Sequence, residues 1–247
     1  MTEYDIFSRF YDELTENVEY KKRAEYVNRL IKENCPDAEI VVDLACGTGS
    51  LTVELAGMGY EMIGVDCSVQ MLSEAQNKAY DSDGNIMFLC QRMQELDLYG
   101  TVDAVVCMLD SINHITDEAE VQQVFNKVSL FMNKGGVFIF DVNTPYKHKE
   151  ILGNNTFVYE TEEVFCVWQN ELEDDESTVN ITLNFFEKDE DVYYREEENF
   201  SEKAYDTEKL LDMLKESGMS VVSVFDEMTN EIPHEKSERI FIVAKKD

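Results

Sequence analysis

The most specific chemistry in the chain is carried by two acids and two glycines. The run Val41-Val42-Asp43-Leu44-Ala45-Cys46-Gly47-Thr48-Gly49 sets an acid four residues before a pair of closely spaced glycines. A second acid, Asp66, ends the next apolar run, Met62-Ile63-Gly64-Val65-Asp66. Glycines where a strand turns into a helix let backbone N–H groups approach a ligand closely. A carboxylate at the end of the following strand can accept from both hydroxyls of a ribose. A dinucleotide fingerprint would place a third glycine where Thr52 stands, and Asp43 is out of place beside a pyrophosphate. The pattern therefore suits a ribose-bearing ligand that is cationic and has no phosphate. Downstream, Asp110, Asn113 and His114 follow one apolar run, and Asn143 and Tyr146 follow another. A carboxylate or imidazole there can help remove a proton from a reacting oxygen or ammonium. The spacing selects none of them as the base.

These residues need a scaffold that brings strand ends together. Short β-branched runs at Ile40–Leu44, Met62–Asp66, Ile86–Cys90, Val102–Leu109 and Val137–Val142 alternate with segments of helical periodicity. The helices expected are residues 18–34, a segment from Leu51, one capped by Ser68, and Asp117–Phe131. Strands that are apolar on both faces and alternate with helices indicate a mostly parallel sheet. Ligands of such sheets bind at the carboxyl ends of the strands, where the residues above fall. The pattern then changes. Phe157–Val167, Thr178–Phe186 and Val192–Phe200 read as long strands joined by acidic turns, an antiparallel meander. A helix over Thr207–Ser217 and two last strands, Met219–Phe225 and Arg239–Ala244, complete the chain.

The 247 residues carry 52 acids against 21 Lys and Arg, a net charge of −31. That balance argues against a nucleic-acid partner and against an anionic membrane surface. Glu160 to Glu198 alone holds 15 acids against Lys188 and Arg195, yet it is rich in aromatics and is expected to fold. Solvated acidic turns explain this charge; alternatively, it favours a neutral or cationic ligand over a phosphorylated one. No apolar run reaches the length of a membrane span, and the amino terminus reads as lacking a secretion signal. Six cysteines without a Cys-x-x-Cys spacing suit reduced thiols in a cytoplasmic protein and no structural zinc site.

The Val41–Gly49 stretch resembles the first motif of class I S-adenosylmethionine-dependent methyltransferases. Gly64-Val65-Asp66-Cys67-Ser68 with Met71, Leu72 and Ala75 resembles that family's second segment, and Val102–Ser111 its fourth strand. Phe7-Ser8 with Tyr11-Asp12, and Leu214 with Ser217-Gly218-Met219, extend the resemblance over nearly the whole chain. It implies a Rossmann-like α/β fold: a doubly wound, mostly parallel seven-stranded sheet with its last strand antiparallel, plus a small antiparallel β subdomain. The division implied is 1–152 with 203–247 as the cofactor domain, and 153–202 as an inserted lid. The cofactor implied is S-adenosyl-L-methionine. Ala45, Cys46, Gly47, Thr48 and Gly49 would line its methionine and ribose, Asp43 would favour its ammonium, and Asp66 would hold its ribose. Cys67, Met71 and Met93 would pack on the adenine, and Leu109 and Asp110 would sit by the methyl. Tyr11 and Tyr20 would close the site. Arg92 stands where relatives often carry an acid for the adenine amino group. Trp168, Tyr193 and Arg195 are candidates for the acceptor pocket. The activity implied is methyl transfer to nitrogen or oxygen of a small molecule, with no metal. A weakly catalytic cofactor-binding regulator and a nucleotide-dependent oxidoreductase are the alternatives.

Overall fold

The computed structural model describes residues 7–82 and 84–247; the amino-terminal residues 1–6, read above for a secretion signal, lie outside the described residues. The elements are helices α1 (Phe7–Leu14) and α2 (Tyr20–Asn34), strand β1 (Ile40–Leu44), α3 (Ser50–Gly57), β2 (Glu61–Asp66), α4 (Val69–Tyr80), β3 (Ile86–Cys90), β4 (Val102–Cys107), α5 (Glu118–Phe131) and β5 (Met132–Asn143). Four strands follow, β6 (Thr156–Glu160), β7 (Val164–Leu172), β8 (Thr178–Asp189) and β9 (Val192–Lys203). The chain ends with α6 (Thr207–Glu216), β10 (Met219–Asp226) and β11 (Arg239–Lys246).

The main sheet has seven strands in the order β10-β11-β5-β4-β1-β2-β3. β1 to β5 are parallel, and β11 runs antiparallel to both β5 and β10. The expected architecture is the one observed. Strand alternation explains its core. Val42 and Leu44 point into one apolar layer with Val124, Phe125, Val128, Leu210 and Leu214 from α5 and α6. Val41 points into the other, with Val27, Leu30, Ile31, Leu51 and Leu55 from α2 and α3. With helices on both faces, only the strand ends are open to a ligand. The order reverses between β1 and β4, so the crevice lies outside their carboxyl ends. Caps fix two helices there: Ser68 accepts from Met71 N at 3.2 Å, and Asp117 from Ala119 N at 2.7 Å. β5 begins earlier than Val137, because Gly135 at φ +77° lets the backbone bulge between the pairs Val102–Met132 and Ala104–Val137.

The second sheet is antiparallel, in the order β6-β7-β8-β9. It contains one strand more than the sequence suggested. The run Phe157–Val167 is two strands, because Thr161 Oγ1 accepts from the backbone N–H groups of Glu163 (3.2 Å) and Val164 (3.1 Å) and folds the chain back. A third apolar cluster joins this sheet to the rest: Val164, Cys166, Val179, Ile181, Leu183 and Phe185 pack with Phe10 of α1 and Met71 of α4. No helix among the described residues is long and apolar enough to cross a membrane.

Candidate functional site

Beyond β1 the chain turns through left-handed backbone at Ala45, Gly47 and Gly49 before α3 begins. Gly49 has no room for a side chain, since a Cβ there would lie 2.8 Å from Ala75 Cβ. A Cβ at Gly47 would meet nothing within 4 Å, so that side of the loop is open. Asp66 ties the loop to the next strand end. Its Oδ2 accepts from Gly47 N at 2.9 Å and its Oδ1 from Ser68 N at 2.8 Å. Burial pushes the Asp66 carboxyl up, and these backbone donors pull it back. Asp43 is buried below the loop, with one oxygen accepting from Thr52 Oγ1 at 2.6 Å. Burial raises its carboxyl to about 7 against that hydrogen bond.

Three cavities meet here. A cleft of about 40 Å³ lies at the glycine loop, between Tyr11, Tyr20, Asp43, Cys46 and Leu109, with no Lys or Arg in its lining. A cavity of about 710 Å³ runs from Asp66, Cys67 and Met93 to the polar face of β8 and β9. A third, of about 230 Å³, is enclosed by Tyr11, Trp168, Tyr159 and Phe200 above Asp110 and Glu202. Ala45 is shared by the first two, Tyr11 and Leu109 by the first and third, and His114 and Phe200 by the last two. Burial holds the Tyr11 and Tyr20 hydroxyls above their ordinary range, so both remain protonated donors at neutral pH.

The floor of the third cavity is a buried charge network. Leu109 and Asp110 both have positive φ. Asp110 Oδ1 meets Arg239 Nη2 at 2.7 Å, and its Oδ2 accepts from Asn143 Nδ2 at 2.7 Å. Arg239 Nη1 donates to Asp141 at 2.6 Å, and Arg23 lies 3.4 Å from the same oxygen. Burial would raise Asp110, but the Arg239 guanidinium outweighs it and holds the carboxyl well below the usual carboxylate range. Lys147 donates to Asn143 Oδ1 at 3.0 Å. Asp110, His114 and Glu202 each bring one ligand atom within 4.8 Å of the others, yet both Asp110 oxygens are committed to Arg239 and Asn143.

The structure brings most of the residues singled out from sequence to these walls. Tyr11, Tyr20, Asp43, Ala45, Cys46, Gly47, Thr48, Asp66, Cys67, Met93, Leu109, Asp110, His114 and Trp168 line one cavity or another. Gly49 supports the loop from behind. Others are placed elsewhere. Met71 is packed in the third apolar cluster, not on a cavity wall. Asn113 is a buried clamp, donating to the carbonyls of Asn143 (3.2 Å) and Lys203 (2.9 Å). Tyr146 is half-buried and lines none of the three cavities. Tyr193 and Arg195 line none of the three cavities either. Tyr193 is 58% exposed, and the Arg195 side chain, 56% exposed, pairs with Glu197. Their register opposite Lys188 and Phe186 sets them at the hairpin end of β9, away from the cavities. Sequence reasoning missed Lys147, His148, Glu202 and Arg239, which no local motif marks; His148 is fully buried.

A family model described as a methyltransferase domain matches residues 41–136. A protein of Geobacillus sp. (strain WCH70) named as a methyltransferase is 33% identical over 245 residues, covering 98% of this chain and 99% of its own length. YqeM of Bacillus subtilis (strain 168), also named as a methyltransferase, is 33% identical over 244 residues, covering 98% and 97%. The crystal structure of an S-adenosylmethionine-dependent methyltransferase from Clostridium acetobutylicum ATCC 824 superposes with a TM-score of 0.89 at 36% identity, over 98% of both chains. With a full-length match in sequence and fold, and an acid-lined glycine loop at the strand switch, the chain belongs to the S-adenosylmethionine-dependent methyltransferases.

Proposed function

We propose that the enzyme moves a methyl group to a nitrogen or oxygen of a small-molecule acceptor seated in the 230 Å³ cavity. The observation that carries this reading is the meeting of the three cavities at Ala45, Tyr11, Leu109 and His114. S-adenosylmethionine supplies an electrophilic methyl group on a cationic sulfur, and it carries no phosphate. The cleft at Gly47 fits that chemistry, because its lining has a carboxylate and no cationic side chain. Asp43 would favour the ammonium there, and Asp66 the ribose hydroxyls, since its carboxylate has lone-pair sites beyond those its backbone donors use. Cys67 and Met93 would flank the adenine. Tyr11 and Tyr20 would cover the amino-acid end from α1 and α2.

Methyl transfer depends chiefly on alignment and exclusion of water. Leu109 and Tyr11 form the wall shared by the cleft and this cavity, and Asp110 adjoins it. Asp110 is too strongly paired to serve as a base, so its part is to fix that wall. His114 lines both larger cavities and would take a proton from the acceptor. Residues 153–202 would act as the lid, with Trp168 and Tyr159 as its apolar walls and its acids favouring a neutral or cationic acceptor. A screen with methyl-labelled S-adenosylmethionine tests this reading. Label is expected on amines or hydroxyl compounds of low charge, at least tenfold above phosphorylated analogues. Label found on protein and on no small molecule overturns it.

Asp43 makes cofactor binding depend on pH. With a carboxyl raised to about 7, the ionised form that suits an ammonium is depleted as pH falls below 7. Affinity for S-adenosylmethionine is therefore expected to rise several-fold from pH 6 to 8, with proton release visible when calorimetry is repeated in buffers of different ionisation enthalpy. Asp43→Asn is expected to bind more weakly at pH 8 and to lose that pH dependence.

A further inference from the structure

Glu202 lines the floor of the 230 Å³ cavity beside His114, and the buried His148 lies behind it. Glu202 comes from the last turn of β9 and is 3% exposed. Its Oε1 is 3.5 Å from His114 Nε2 and its Oε2 is 3.8 Å from His148 Nε2. His148 sits in a wide helical turn, Lys147–Leu152, where Gly153 N bonds back five residues to the His148 carbonyl at 2.8 Å. Turns of this width are frequent at functional sites.

The tautomer of His148 follows from its partners. Its Nδ1 is 2.9 Å from the Ser177 carbonyl oxygen, which can only accept, so Nδ1 carries the proton. Burial lowers the ring's basicity, so Nε2 keeps a bare lone pair. That atom is buried and has no hydrogen-bond partner. The carboxyl at 3.8 Å could satisfy it only as a protonated acid, after a closure of under 1 Å. Burial raises Glu202 to about 7, against the pull of His114, Arg239 and Lys147 and with the push of Asp110. Among the described residues, those and His148 are the titratable and charged groups set against it.

We propose that Glu202 holds the proton released by the acceptor, receiving it through His114 and sharing it with His148. The inference rests on the methyl-transfer reading above. The acceptor's lone pair forms the bond to the methyl carbon, and the carbon–sulfur bond breaks with its pair on sulfur. The N–H or O–H pair falls back on the acceptor as its proton passes to one nitrogen of His114. His114 yields the proton on Nε2 to Glu202 Oε1. A half-turn of the carboxyl presents that proton to His148 Nε2. Glu202 is thus a positioning and proton-holding residue that acts through His114.

NMR of the labelled full-length protein, with S-adenosylhomocysteine bound, tests this without an acceptor. The chain has three histidines, so the imidazole spectrum is simple. A glutamate carboxyl is expected to titrate near pH 7 and to vanish in Glu202→Gln, with the His114 ring signals following the same step. His148 is expected to remain neutral with its proton on Nδ1. In His148→Asn the Glu202 step should move to lower pH by at least half a unit, a shift that burial alone does not produce. A Glu202 carboxyl titrating in the ordinary glutamate range overturns the proposal, as does a step unmoved by His148→Asn. Calorimetry with S-adenosylhomocysteine separates the two readings. Loss of binding by the wild type sinks the methyl-transfer reading, whereas intact binding without the carboxyl step sinks only this proposal.

Discussion

Asp66→Ala is expected to weaken S-adenosylmethionine binding by about a hundredfold or more. Two hydrogen bonds from ribose hydroxyls to a carboxylate contribute ~1.5–3 kcal/mol each, and ~1.4 kcal/mol is tenfold in affinity. The variant loses a second contribution as well. Both Asp66 oxygens accept backbone N–H groups, from Gly47 at 2.9 Å and Ser68 at 2.8 Å, and these hold the loop in the shape proposed to receive the ligand. Stability should suffer less than binding, because burial opposes the ionised form of this carboxyl in the free protein. Calorimetry on the variant, beside a thermal melt, separates the two effects. A melting temperature lowered by only a few degrees together with binding lost is the expected pair of results.

Arg239→Ala is expected to be the most destabilising single change at the site. The guanidinium joins Asp110 at 2.7 Å to Asp141 at 2.6 Å, and Asp141 is fully buried. Removing one partner of a buried ion pair costs ~3–5 kcal/mol, because it strands the other charge. In a chain of this size that is a fall in Tm of roughly 10 °C. Arg23 at 3.4 Å from Asp141 offsets part of the loss, but it does not reach Asp110. The sign with pH follows from Asp110. Its carboxyl is depressed in the folded state, so the stability it contributes is present above the ordinary carboxylate range and lost as pH falls through the folded value. Without Arg239 the stranded Asp110 can protonate at low pH. The Tm difference between wild type and variant should therefore be largest near pH 8 and shrink towards pH 4. A difference independent of pH would show that Arg239 matters for packing and not for charge.

Much of this site is legible in the sequence because it is contiguous. The glycine loop, Asp43 and Asp66 follow one strand–loop–helix–strand unit, where short-range spacing fixes geometry. The parallel sheet is legible because its buried strands are apolar on both faces. Arg239, Glu202, Lys147 and His148 are legible in neither way. Arg239 reaches Asp110 only because β11 pairs antiparallel with β5, with Arg239 opposite Asn143. Glu202 reaches His114 because β9 runs on past Phe200 and returns to the turn at Ser111–His114. Long-range register decides both, and composition carries no record of it. The same reason explains Tyr193 and Arg195. An aromatic and a cation in an acidic lid suggest a pocket, but the hairpin register places them at the far end of β9. Thr161 broke an apparently continuous strand through a side-chain turn that propensity does not weigh.

In the proposed function the glycine loop, Asp43 and Asp66 form the S-adenosylmethionine site. Calorimetric titration of the wild-type protein with S-adenosylmethionine and with S-adenosylhomocysteine, set against Asp66→Ala, tests it most directly. One site per chain for both compounds, lost in the variant, is the result predicted. No binding of either compound, or binding that Asp66→Ala leaves unchanged, would contradict it.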